Sequence, residues 1–298
     1  MTGDEITQPL HPLRCPQCQL VTDAHKPFCP RCKLDLRYGS PTRIKSGKCI
    51  YCEKYRRFSE EHIFGKWLKK YYLSQHKRTK HTLLRPQRLA FWEKVPVHTE
   101  SIDAMATPYD TVVLNVCVEC NNGWMSKLQD NAKPLIKALA DGSWPTFSDA
   151  ERDLIARWSL MVSINLECHG RMLHTTQRQR TALKNGSVPP GSRVSIARMH
   201  DSTCAGESFY RSVAVPIGIE QGEFLKIQST YFCVERVAFH TLTSLDDRIL
   251  ETGMMSAGVV AARLPRLIWP VQESSLETMH IRLRRDDLEN VQRLLGPV

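Results

Sequence analysis

The residues of this chain that could do chemistry are its cysteine pairs, one Glu-His dipeptide and one asparagine. Eight of the eleven cysteines fall in four C-x-x-C pairs: Cys15 and Cys18, Cys29 and Cys32, Cys49 and Cys52, Cys117 and Cys120. Random placement would give roughly 0.4 such pairs, so metal binding is a more economical reading than a disulfide framework. A C-x-x-C turn presents two thiolates together, and two turns complete a tetrahedral zinc site. Cys29 and Cys32 could share an ion with Cys15 and Cys18, or with Cys49 and Cys52. If the Cys49–Cys52 turn meets the Cys117–Cys120 turn, Glu61, His62 and Asn121 come near a common point. They supply a hard oxygen ligand, a group titrating near neutrality and an amide oxygen, which together make a candidate hydrolytic centre.

The order C-x-x-C, then Glu-His, then C-x-x-C-Asn resembles the HNH endonucleases of the ββα-metal fold. The likeness is greatest to members stapled by a four-cysteine zinc, such as the phage Holliday-junction resolvases. The strings Glu61-His-Ile-Phe-Gly-Lys-Trp-Leu68 and Cys120-Asn-Asn-Gly-Trp-Met125 are also similar to standalone HNH proteins of phages and bacteria. The similarity spans residues 46 to 145, about a third of the chain.

The resemblance implies a metal-dependent endonuclease that hydrolyses DNA phosphodiester bonds, by nicking or double-strand cleavage, in phage or anti-phage conflict. Because the family places a zinc pair just before its Glu-His dipeptide, it favours one structural zinc on Cys49, Cys52, Cys117 and Cys120. A second then falls to Cys15, Cys18, Cys29 and Cys32. Glu61 and Asn121 would hold a catalytic Mg²⁺ or Mn²⁺, and His62 would be the general base, leaving 5′ phosphate and 3′ hydroxyl ends. Two positions depart from the pattern. Val112 stands where the family has its middle Asn, with Asn115 nearby but out of register, and Gly65 replaces a common Pro.

Charge points the same way. The net charge of +10 is uneven: residues 1–98 hold 20 Lys and Arg against 8 Asp and Glu, and the remaining 200 residues are slightly acidic. A basic module suits a polyanionic partner. Within it, Lys66, Lys69, Lys70, Lys77, Arg78, Lys80, Arg85 and Arg88 are interleaved with Trp67, Tyr71 and Tyr72. These are the candidate phosphate contacts. The first part of that stretch is expected to be helical, with Trp67 and Tyr71 on one face. The expected partner is DNA, with RNA also admissible, and the C-terminal region offers a surface for a second copy or a protein.

The elements that must position these residues follow from patterning. The expected fold class is α+β, in three parts. Residues 1–45 form a zinc-ribbon-like segment, 46–145 a zinc-stapled ββα module with a basic insertion, and 146–298 a helix-plus-antiparallel-sheet domain. Glu61 and His62 are placed on the first strand by the resemblance, and Val112–Val116 reads as the second. A helix is expected from Gly123 toward Gly142, broken or kinked at Pro134. Ser148-Asp-Ala-Glu151 is a capping box opening a core helix over residues 148–167. A helix at 175–185, strands at 193–199, 209–219 and 224–240, and a terminal helix at 285–295 complete the reading.

No run of 18 apolar residues and no signal peptide is present, so the expected compartment is the cytoplasm. The chain has no Walker loop, Rossmann fingerprint or Gly-x-Ser-x-Gly elbow, which argues against enzymes of those kinds. The competing reading is a zinc-dependent nucleic-acid or protein binding module whose HNH centre is degenerate. A dithiol redox protein is disfavoured, because no thioredoxin-like βαβ pattern surrounds the pairs.

Overall fold

A computed structural model describes residues 13–14, 21–22, 46–72, 79–85, 98–104, 108–169, 173–216, 224–244, 266–270, 282–284 and 286. Strands β1 (Leu13–Arg14) and β2 (Val21–Thr22) pair antiparallel and bracket the first C-x-x-C in sequence. Cys15, Cys18, Cys29 and Cys32 lie outside the described residues, as do Lys77, Arg78, Arg88 and most of the expected terminal helix.

The first well-formed unit is a small antiparallel sheet with a helix across it. Strands β3 (Ser46–Lys48), β4 (Tyr55–His62) and β7 (Val112–Cys117) pair in the order β3-β4-β7. The chain continues directly into α2 (Val118–Cys120), a wider-wound segment at Asn121–Met125, and α3 (Ser126–Ala140). Helical winding thus begins five residues before the expected start, and Gly123 (φ −92°, ψ −107°) interrupts it. Pro134 lies inside α3 without ending it, at an exposed position facing solvent. The helix closes at Gly142, whose φ of 91° permits the 6→1 bond from Ser143 N to Ala138 O.

Between β4 and β7 the chain forms helix α1 (Lys66–Tyr71) and strands β5 (Thr79–Arg85) and β6 (His98–Ala104). Among its described residues the basic stretch is helical at its start, and Lys80 and Arg85 lie on a strand. β5 pairs with β6 antiparallel and with β9 parallel, which attaches the insertion to a second, larger sheet. That sheet adds β8 (Ser192–Met199), β9 (Ser208–Pro216), β10 (Phe224–Val234), β11 (Val237–Ser244), β12 (Arg266–Trp269) and β13 (Arg282–Leu283). Its order is β12-β8-β11-β10-β9-β5-β6, with β13 also on β8. The single strand expected at 224–240 is a hairpin, reversed at Glu235 (φ 48°) and Arg236. No Gly, Pro or Asn marks that turn, so the pattern ran through it.

Helix α4 (Asp149–His169) lies between the two sheets and is buried on all sides, not along one stripe. The expected cap is present: Ser148 Oγ accepts from Glu151 N, and Glu151 Oε2 accepts from Ser148 N at 2.8 Å. Trp158 meets Phe232 and Phe239 edge-on at 6.0 and 5.4 Å, and Phe64, just after β4, reaches Phe232 at 5.9 Å. One apolar core therefore joins the small sheet, α4 and the large sheet. Helix α5 (Gln177–Lys184) is capped by Thr176 and Gln179 in a reciprocal box. Among the described residues no helix is long and apolar enough to cross a membrane.

Candidate metal centre and active site

Two turns build the cysteine cluster. The first, Cys49-Ile-Tyr-Cys52, is closed by Glu53 N donating to Cys49 O at 2.9 Å, with Glu53 at φ 58°. The second begins α2, where Cys117 is the N-cap and its sulfur accepts from Cys120 N at 3.4 Å. The sulfurs of Cys49, Cys52, Cys117 and Cys120 all lie within 4.8 Å of one another, and Cys52 Sγ and Cys117 Sγ are 3.7 Å apart. Tetrahedral zinc with Zn–S bonds of about 2.3 Å requires sulfurs about 3.8 Å apart, so the group could hold zinc. Its four thiolates would leave no open position. The Cys120 thiol lowers the Cys49 thiol from its usual range, against the opposing effect of burial and with help from the backbone N–H groups around it. None of the described cysteines forms a disulfide. Cys204 and Cys233 are buried, whereas Cys168 is partly exposed.

The C-terminal region grips the first turn from behind. Arg180 Nε donates to Ile50 O at 2.8 Å and Gln177 Nε2 to Tyr51 O at 3.1 Å, both from α5. Tyr51 stacks edge-on against Trp124 at 4.9 Å, and its hydroxyl donates to Asn165 Oδ1 on α4. A bare basic pattern in α5 gave no sign of this clamp, since it depends on one guanidinium turned inward. Arg180→Ala leaves the buried carbonyls Ile50 O and Thr175 O, and the part-buried Gln177 Oε1, without their donor, at about 1–3 kcal/mol for each buried acceptor. The variant is expected to fold, melt earlier and release zinc faster to a chromogenic chelator.

The cluster fixes the register of β4 on β7 and the start of the helix. Ser59 pairs with Val116 and Glu61 with Val113, so β7 carries one extra residue between them. The spare Asn115 carbonyl accepts from Ile50 N at 3.1 Å. Ser59 and Glu61 then both face the helical segment: Asn121 Nδ2 donates to Ser59 Oγ at 2.9 Å, and Gln129 Nε2 to Glu61 Oε1 at 3.0 Å. Because Nδ2 is engaged by Ser59, the Asn121 carbonyl oxygen is turned the other way. Glu61 and Asn121 are thus brought to one strand–helix seam.

His62 leaves β4 on the opposite side of the backbone, as strand alternation demands. It lies among Lys66, Lys69 and Asp110, at the rim of the seam and not within it. Val112 is its direct partner on β7, and among the described residues none hydrogen-bonds its ring. Burial, followed by the nearby Lys66, holds His62 below its usual pKa, so the ring is neutral at pH 7.

Sequence reading missed Ser59 and Gln129, which orient Asn121 and Glu61. It also missed the reason for Gly65. That residue has φ 87°, and an added Cβ would meet Gln129 Oε1 and lie 2.8 Å from Trp67 Nε1. Only glycine leaves room for Gln129 to reach Glu61.

Glu61 is 2% exposed, and burial pushes its carboxyl up to about 8 against a small opposing effect from Gln129. A carboxyl whose pKa rises on folding keeps its proton where the unfolded chain has lost it. Metal-free protein should therefore be most stable below about pH 4.5 from this group and lose stability as pH climbs toward 8, at about 1.4 kcal/mol per unit. Glu61→Gln is expected to flatten that decline and to raise the melting temperature at pH 8, read by calorimetry after dialysis against Mg²⁺-free buffer.

No family model, no curated protein and no solved structure matches this chain.

Proposed function

We propose that this chain is a metal-dependent endonuclease that hydrolyses nucleic-acid phosphodiester bonds at Glu61, His62 and Asn121. The observation that carries the reading is the strand–helix seam. A four-cysteine staple holds β4 against the start of a helix, and a buried carboxylate with one neutral donor stands there beside a side-chain amide of fixed orientation. A cation is the natural complement of such a carboxylate. Glu61 and Asn121 would hold Mg²⁺ or Mn²⁺, which when bound supplies charge neutralisation for the phosphorane and the leaving oxygen. The chain's own work is positional and basic. Gln129 fixes Glu61, Ser59 fixes Asn121, and the unprotonated ring nitrogen of His62 accepts the proton of the attacking water. The zinc staple takes no part in that chemistry.

One observation favours the second reading, a binding module with a degenerate centre. Val112 faces His62 across the ladder, so no polar side chain of β7 orients the imidazole. Incubating supercoiled plasmid with the zinc-loaded protein in Mg²⁺, in Mn²⁺ and without added divalent metal separates the two. Nicking that requires the added metal supports the nuclease. Tight binding with no nicking under any condition, on plasmid, single strand or RNA, supports the binding module.

A further inference from the structure

The lysines around α1 are not equivalent. Lys69 is held by Asp110 at 2.6 Å, and Lys137 of α3 by Asp141. Among the described residues no carboxylate lies within ion-pair distance of Lys66, Lys70 or Lys133. Lys66 and Lys70 are one helical turn apart and exposed. Lys133 comes from α3 and sits over the rings of Trp67 and Tyr71, at 6.0 and 5.4 Å. Those rings fix an ammonium that would otherwise sample many rotamers, so less entropy is lost when it meets an anion. Three cations without an ion-pair partner among the described residues thus surround α1. Lys133 lies one turn beyond Gln129, the residue that holds Glu61, and Lys66 adjoins His62.

We propose that Lys66, Lys70 and Lys133 form a phosphate-binding patch that seats a nucleic-acid strand beside the Glu61–Asn121 seam. This rests on the nuclease reading and deepens it, by separating cations that are free to meet phosphates from those already neutralised. Charge complementarity favours a phosphodiester backbone. An anionic lipid surface would call for a broad apolar face beside the lysines, and the large exposed apolar side chains among the described residues are Tyr55 and Tyr71 alone.

The test is a binding titration of the full zinc-loaded chain on duplex and single-stranded DNA at three salt concentrations, in Ca²⁺ to suppress hydrolysis. Each phosphate contact contributes about 0.9 to the slope of log K against log salt on duplex. Lys66→Ser/Lys70→Ser/Lys133→Ser is expected to flatten that slope by about 2 to 3 units, whereas the paired lysines, changed as Lys69→Ser/Lys137→Ser, flatten it by less than one. Unchanged slope in the triple variant, or equal flattening in the control pair, overturns the proposal. So does equal binding to phosphatidylserine vesicles. Melting curves and zinc content confirm that each variant is folded. The two readings fail separately: wild type that binds with a steep slope but never cleaves removes the nuclease and keeps the patch. Wild type that cleaves while the triple variant binds normally removes the patch and keeps the nuclease.

Discussion

Cys117→Ala is expected to unfold the module built on β4, β7 and α3 and to lower the zinc content by one ion per chain. Cys117 is fully buried, its sulfur is 3.7 Å from that of Cys52, and it caps α2 by accepting from Cys120 N. Its loss removes one of four ligands and the N-cap together. Structural zinc stabilises small domains by about 10–16 kcal/mol, which exceeds the whole stability of most domains. Elemental analysis and circular dichroism read the outcome. A Cys117→Ala protein with native spectrum and the zinc content of wild type would sink the metal assignment for this cluster. By contrast Cys204→Ala, in a buried position away from the cluster, should leave the zinc content unchanged.

His62→Ala is expected to lower the nicking rate about a hundred- to ten-thousandfold, the usual contribution of a positioned general base. Fold and zinc content should be unaffected, because the ring lies outside the core and is not a cysteine-site ligand. DNA affinity and its salt slope should also stay near wild type, since the imidazole is neutral at pH 7. Nicking kinetics under single-turnover conditions, with zinc content measured on the same sample, check this. A variant that nicks at the wild-type rate would remove His62 from the mechanism. Imidazole added to the buffer should restore part of the rate only if the lost group acted as a base.

Much of this arrangement was legible from the chain itself. Local chemistry determined it: C-x-x-C turns close through their own backbone bonds, Ser148 and Glu151 cap each other within one turn, and apolar runs name the elements they build. The spacings alone left Cys29 and Cys32 as alternative partners for Cys49 and Cys52, and it was the resemblance that favoured the union of residues 49–52 with 117–120 across 64 intervening residues. The α+β class followed from the same patterns.

What the tertiary structure alone decided depends on groups distant in sequence and on which way each side chain turns. Gln129 meets Glu61 where α3 crosses β4, and a one-residue slip on β7 sets which β7 residues stand opposite Ser59 and Glu61. Strand alternation puts His62 on the other face of β4 from Glu61. Arg180 turns inward to the knuckle carbonyls while Lys133 stays at the surface over two rings, and composition does not separate such cations. β5 pairs with β9 across more than a hundred residues. Backbone hydrogen bonds carry no residue code, so pairing between distant strands is settled only when the whole core assembles around α4.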